Sequence, residues 1–159
     1  IGRCRRPAGD CLPGMPRSSG WLPISGCAAA TQPAHWLWPR RGRGDSSERF
    51  YIRPENARLD DQLFRNRSVQ YEASPDAPWN VLREQSPGLY ESYADMEAGG
   101  WTRLKIVVTG HRAQLYINGA SQPALVVNDL RHGAGHGAIA LWTRISSDAF
   151  FSNLRVTPK

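Results

Sequence analysis

Hydrophobic and polar residues alternate most regularly between Trp101 and Asn118. Because successive side chains of a strand point to opposite faces, this pattern predicts a β-hairpin with one buried face. The residues predicted to be buried are Leu104, Ile106, Val108, Ala113, Leu115 and Ile117. Gly110-His111 stands at the reversal and suits a type II′ turn, and Asn118-Gly119 supplies the positive φ angles that a second turn needs.

The same alternation recurs in shorter segments on both sides of the hairpin. It places Phe50 and Ile52 on one face of the first segment, and Val69 and Tyr71 on one face of the second. The predicted strands lie at 49–53, 68–72, 124–127, 137–143 and 150–156. The last strand is predicted from Phe150, Ser152, Leu154 and Val156. Short strands separated by turn signals are typical of an antiparallel sandwich or barrel.

Two longer segments interrupt the predicted strands. Residues 55–66 are mostly polar and are predicted to form a loop. In residues 74–100, Asp76-Ala77-Pro78-Trp79 is predicted to begin one helical turn that runs through Arg83. A connection of this length is usually functional or disordered, and its aromatic residues argue against disorder. Those residues are Trp79, Tyr90 and Tyr93.

Residues 1–44 differ from the rest of the chain. They contain six of the 12 prolines and seven of the 15 glycines, and their apolar residues follow no period. Proline interrupts helices and central strands, so we expect this segment to be a disordered leader that precedes a domain at 45–159. A second hypothesis is that residues 1–44 are not native to the domain, because a shifted reading frame in GC-rich DNA produces such a composition.

The net charge of +6 also belongs to the first 44 residues, which hold seven arginines and one acidic residue. The remaining 13 basic and 13 acidic residues balance in 45–159, so a nucleic-acid partner is not expected for the patterned part. No apolar run reaches the length of a membrane span. The spacing of Cys4, Cys11 and Cys27 fits neither a CxxC pair nor a zinc site. We therefore expect no metal and no cofactor.

Several short motifs carry a family resemblance when taken in order. They are Phe50–Pro54, Val69–Tyr71, Pro78-Trp79, Leu82-Arg83, Trp101, Leu104–Val108, Leu115–Gly119, Gly137–Trp142 and Phe151–Val156. The run from Phe50 to Thr157 resembles the concanavalin A-like lectin/glucanase superfamily of jelly-roll sandwiches. Within that superfamily it looks most like the bacterial 3-keto-disaccharide hydrolase-like domain, also described as family 16 glycoside hydrolase-like or laminin-G-like.

The resemblance implies an all-β, antiparallel jelly-roll-type sandwich that binds a carbohydrate or glycoside, in a secreted or periplasmic setting. Domains of this family have several strands before the segment that corresponds to Phe50–Pro54. Residues 1–44 show no comparable pattern. The sandwich is therefore expected to be incomplete on its N-terminal side.

The polar face of the first two predicted strands is the best candidate for a binding site. Tyr51, Arg53, Gln70 and Glu72 lie side by side if these strands pair. Sugars are bound by planar polar groups with an aromatic ring beneath the sugar, and either Trp79 or Tyr90 from the long connection could provide that ring. The alternative interpretation is an ordinary solvated sheet face with an Arg–Glu pair across the strands.

Other polar clusters give weaker indications of chemistry. A glycosidase needs two rigidly held carboxylates, and Glu91–Glu97 is acidic but is predicted to lie in a loop. His132 and His136 have the spacing of a helical metal site, but three glycines around them make a helix unfavourable. Catalytic residues are therefore not assigned.

Three functions remain open from the sequence. The first is a carbohydrate-recognition module, and the second is a glycoside hydrolase of the 3-keto-disaccharide type. The third is a structural interaction sandwich that has no sugar site.

Overall fold

The computed structural model describes residues 46–133, 138–143 and 148–157, together with the backbone of two earlier strands at 22–30 and 34–39. Its strands are β1 (Leu22–Ala30), β2 (Ala34–Pro39), β3 (Ser47–Ile52), β4 (Val69–Ser74), β5 (Glu91–Ser92), β6 (Trp101–Thr109), β7 (Arg112–Ile117), β8 (Leu125–Val127), β9 (Ala140–Thr143) and β10 (Ala149–Val156). Three short helices lie between them: α1 (Pro54–Ala57), α2 (Gln62–Arg65) and α3 (Trp79–Gln85). In the described part of the chain, no helix is long and apolar enough to cross a membrane.

The strands form two five-stranded sheets in which every neighbouring pair is antiparallel. In sheet A the order is β10-β1-β6-β7-β8, and in sheet B it is β5-β4-β3-β2-β9. One hydrophobic core joins side chains from both sheets. This arrangement confirms the predicted antiparallel β-sandwich.

The core is built from the residues that the period-two alternation places inward. Sheet A contributes Leu104, Ile106, Leu115 and Ile117, and sheet B contributes Phe50, Ile52, Val69 and Tyr71. Each of these side chains is at most 5% exposed. Full burial of one such side chain stabilises the fold by about 1.5–3 kcal/mol. The hydrophobic free energy of these two facing rows therefore favours packing of the two sheets.

The turns of the β6–β7 hairpin also agree with the sequence. Gly110 has a φ of +57°, and the positive-φ residues do not include His111, as a type II′ turn requires. At the far end of β7, Asn118 and Gly119 have φ angles of 52° and 76°. The side chain of Asn118 accepts a hydrogen bond of 3.0 Å from the Arg103 backbone N–H, so this turn is tied back onto β6.

The polar segment 55–66 is more ordered than a simple loop. Pro54 follows β3 and occupies the first turn of α1. Its missing N–H does not destabilise the helix there, because an N–H at this position has no partner within the helix. Asp61 caps α2 by accepting a 3.1 Å hydrogen bond from the Phe64 N–H. The predicted helical turn after Pro78 is confirmed as α3, with Pro78 as its N-cap residue.

Strand β10 departs from simple alternation because it contains a β-bulge. Between the pairs Cys27↔Ser152 and Ser25↔Arg155, β10 has one residue more than β1. Asn153 takes a φ of +56° there. The bulge moves the following residues to the opposite face. Before the bulge, Phe151 packs against the core and Phe150 is 65% exposed. After it the faces are exchanged, so Phe150 does not share a face with Leu154 and Val156.

Two strands, β1 and β2, lie within the segment that the sequence assigns to a leader. Each has a neighbouring strand on both sides, so this segment supplies an interior strand to each sheet. The sequence LPISGCAAA of β1 has no period-two pattern to indicate a strand. Pro23 is compatible with β1 because it pairs with β6 alone, whereas pairing with β10 begins at Ile24. Residues 1–21, 31–33 and 40–45 lie outside the described residues.

Removal of residues 1–44 is expected to prevent the sandwich from folding. In the described part of the chain, β10 pairs only with β1, and β9 pairs only with β2. The fragment 45–159 would leave both strands without a partner and would expose new sheet edges. Circular dichroism melting and size-exclusion chromatography of this fragment and of the full chain would test this. A monomeric fragment with an unchanged melting transition would contradict the pairing and support the predicted boundary at residue 44.

Candidate functional site

The second face of sheet B, which points away from the core, carries a row of polar residues. The pairing of β3, β4 and β5 sets Tyr51 opposite Gln70, and Gln70 opposite Glu91. The neighbouring row sets Arg49 opposite Glu72. We call these five residues the polar face. Residues directly opposite on antiparallel strands are close enough for direct contact, so strand register alone brings these groups together.

Gln70 is the central acceptor of the polar face. Its Oε1 accepts a 2.7 Å hydrogen bond from the Tyr51 hydroxyl and a 2.5 Å hydrogen bond from Nη1 of Arg53. Nη2 of Arg53 donates to the Tyr51 hydroxyl at 3.0 Å, which closes a three-membered network. Tyr51 is 2% exposed and Gln70 is 1% exposed. Buried polar groups of this kind must be satisfied inside the protein.

Burial also shifts the proton affinity of this network. It raises the pKa of the Tyr51 hydroxyl, an effect that the Arg53 charge only partly offsets. The same burial lowers the pKa of Arg53, whose guanidinium lies 4.7 Å from the centre of the Tyr51 ring. Tyr51 therefore stays protonated and donates its hydrogen to Gln70.

Glu91 joins the polar face to α3. Arg83 donates to both carboxylate oxygens of Glu91, at 2.7–3.1 Å. Nε2 of Gln70 donates to the same carboxylate at 3.3 Å, and Nε of Arg67 lies 3.8 Å from it. This two-pronged Arg–carboxylate contact holds α3 in a defined position over β4 and β5.

Trp79 lies at the beginning of α3, beside the second row of the polar face. Its backbone N–H donates at 3.3 Å to Glu72, which also accepts a 3.2 Å hydrogen bond from Arg49. The Arg83 guanidinium lies 4.7 Å from the centre of the Trp79 ring. Trp79 is 41% exposed, so an aromatic surface open to solvent borders a set of planar polar groups.

The structure places the five residues predicted from the sequence in one connected region. They are Tyr51, Arg53, Gln70, Glu72 and Trp79. Tyr51, Arg53 and Gln70 contact one another directly, whereas Glu72 contacts the backbone of Trp79. The face is much less solvated than the alternation suggests, because Tyr51, Gln70 and Glu72 are all buried. A period-two pattern identifies the face of a strand but not what covers that face.

Two residues of this region were not candidates from the sequence. Glu91 belongs to the acidic segment predicted as a loop, but it lies on β5. Arg83 is four residues after Trp79, the spacing at which side chains of a helix meet, and this spacing was the available signal. Tyr90, the alternative aromatic platform, is 3% exposed and packs against Tyr71 at 5.7 Å. It cannot lie beneath a sugar.

A second polar cluster lies at the inner face of sheet B. Glu48 is 6% exposed and accepts hydrogen bonds from the Tyr71 hydroxyl and from the His132 backbone N–H. A ring nitrogen of His132 lies 3.0 Å from the Ser74 carbonyl oxygen. These contacts give His132 a structural role. His136 lies outside the described residues, and within them no group of three or more His, Cys, Asp or Glu side chains could hold a metal ion.

The chain was also compared with known proteins. No protein-family model matches it, and no curated protein matches it. Among solved structures, it is similar to sheep galectin-11 in complex with glycerol, at 15% identity and a TM-score of 0.43. That similarity covers 84% of this chain and 92% of the galectin. At these values the likeness carries no functional argument.

Replacement of Gln70 by Leu is expected to destabilise the protein by about 1–3 kcal/mol. The substitution leaves the Tyr51 hydroxyl and Arg53 without their acceptor in a buried position. Urea unfolding would measure the change. Gln62→Leu is the matched control, because Gln62 lies on the exposed surface of α2 and should change stability by less than about 0.5 kcal/mol. Equal effects of the two substitutions would contradict the role of the network.

The buried Tyr51 hydroxyl predicts a loss of stability at alkaline pH. Its pKa is raised in the folded protein, so an unfolded tyrosine, with a pKa of 10.0, loses its proton first. This contribution is complete below pH 10.0 and is lost as the pH rises further. Urea unfolding at increasing pH should show a shallower alkaline decline for Tyr51→Phe than for the unmodified chain. Equal slopes would contradict the prediction.

Proposed function

We propose that this chain is a carbohydrate-recognition module that binds its sugar at the edge of the polar face. The observation that carries this proposal is the exposed ring of Trp79 beside Arg83, Glu72 and Arg49. A sugar ring offers C–H groups on its face and hydroxyl groups around its rim. An aromatic ring with planar charged groups beside it complements both.

The residues of the region would divide the work between contact and support. Trp79 and the partly exposed Arg49 and Arg83 are available to a ligand, with side-chain exposures of 26% for Arg49 and 22% for Arg83. Tyr51 and Gln70 are too deeply buried to contact a sugar. They support the site by fixing β3, β4 and β5 through buried hydrogen bonds.

A hydrolase of the 3-keto-disaccharide type is the second candidate function. Glu72 and Glu91 are two carboxylates on the same face, and their side chains are about a tenth exposed. Both carboxylates already accept hydrogen bonds from donors of this chain. A general acid must present a proton to the leaving-group oxygen, so this pairing favours binding over turnover.

Trp79→Ala is expected to weaken sugar binding by about tenfold or more, because the ring would supply the largest apolar contact. A glycan array would identify a ligand, and calorimetry with that glycan would measure the change. Trp101→Ala is the matched control, since Trp101 is a tryptophan of similar exposure on sheet A. Equal losses for both substitutions would place the sugar elsewhere.

A reducing-sugar release assay on the same preparation would separate the three functions. Binding without sugar release indicates a recognition module. Sugar release that is abolished by Glu72→Gln or by Glu91→Gln indicates a hydrolase. The absence of both binding and release from the folded chain would leave a structural interaction sandwich.

A further inference from the structure

The second face of sheet A has a charge pattern unlike that of sheet B. The five strands of sheet A contain four basic residues and no Asp or Glu. The basic residues are Arg103, Lys105, Arg112 and Arg155. Lys105 and Arg155 are both in register with Ser25 of β1, so they lie in one row on the face that points away from the core. Arg103 lies two positions from Lys105 on the same strand and shares this face.

Two exposed aromatic residues lie at one end of the same face. Trp101 and Phe150 are both in register with Ala29 of β1, on either side of it. Trp101 is 50% exposed and Phe150 is 65% exposed. The β-bulge of β10 lies between Ser152 and Arg155, so the register that sets Trp101 and Phe150 on one face is uninterrupted. The face therefore combines large apolar rings with a cationic surface.

A cleft of about 200 Å³ lies at Arg103 and Lys105. It is lined by Arg103, Lys105, Tyr116, Gly119, Ala120 and Ser121. The Lys105 ammonium lies 4.8 Å from the centre of the Tyr116 ring. In the described part of the chain, neither Arg103 nor Lys105 forms an ion pair with a carboxylate. Both charges are available to an anion from outside.

We propose that this face of sheet A docks onto a membrane surface that contains anionic lipids. The basic residues attract the negative surface, and the cleft accepts a headgroup phosphate at Arg103 and Lys105. Trp101 and Phe150 enter the interfacial layer, where amphipathic and aromatic side chains are favoured. The exposed rings favour a membrane over a soluble polyanion, because a polyanion needs only the charges. The proposal is independent of the proposed sugar site, whose residues belong to sheet B and α3.

Co-sedimentation of the full chain with vesicles tests this docking. The chain should bind vesicles of equal parts phosphatidylcholine and phosphatidylserine, and it should bind phosphatidylcholine vesicles much more weakly. Arg103→Gln and Lys105→Gln should each lower the partition coefficient about fivefold, which corresponds to about 1 kcal/mol for each cation near the surface. Trp101→Ala should lower it as well. Arg58→Gln is the control for net charge, because Arg58 is exposed on the segment after α1 and pairs with Asp95.

The remaining outcomes distinguish the sources of the anion. Heparin that binds as tightly as the vesicles, with no loss in Trp101→Ala, would replace the membrane by a soluble polyanion and overturn the proposal. Vesicle binding abolished by millimolar inorganic phosphate would reduce the face to a phosphate site and overturn it too. Equal losses for Arg58→Gln and Lys105→Gln would show that binding depends on net charge and not on this face, which would also overturn the proposal. Thermal melting of every variant excludes unfolding as the cause of a loss.

Discussion

The covered face of sheet B depends on one constraint, which is that its buried polar groups must find their partners within the chain. Gln70 satisfies this constraint by accepting from Tyr51 and Arg53 and by donating to Glu91. These hydrogen bonds join three strands, and the pairing of Glu91 with Arg83 extends the network to α3. The position of the exposed Trp79 ring follows from this buried network. The exposed ring that we propose as the sugar contact is thus held in place by side chains that are themselves buried.

The two sheets treat their second faces differently. Sheet B covers its polar face and pairs Arg49 with Glu72 and Arg83 with Glu91. Sheet A leaves Arg103 and Lys105 facing the solvent without a carboxylate partner among the described residues. The charged pairs of sheet B fix the positions of neighbouring elements, because the pairs are partly buried and have a defined geometry. The charges of Arg103 and Lys105 on sheet A are available to attract an anionic surface from a distance.

The sequence predicts well those strands that bury only one face, because their alternation of apolar and polar residues shows which face is buried. Phe50, Ile52, Leu104 and Ile106 are correctly placed by this pattern. Strand β1 has no such alternation, and the extra residue in β10 reverses the pattern at a position marked only by Asn153, a residue type that tolerates a positive φ. Adjacent strands also bring Tyr51 and Gln70 together, as predicted. The burial of that pair, and the role of Arg83, depend on where α3 packs, which local patterns do not encode.

The place of β1 in sheet A has a consequence for how the chain acquires its structure. Ile24 pairs with both Ile106 and Val156, so residues from the beginning, middle and end of the chain meet on one strand. Such pairings have a high contact order, and closing the long intervening loops makes folding slow. Among the described strands, β1 pairs with β6 and β10, so during synthesis its pairing waits until β6 has emerged, and β10 joins it later still. Strand β1, which lacks a regular hydrophobic pattern, is thus the strand on which β10 must pair at the end of synthesis.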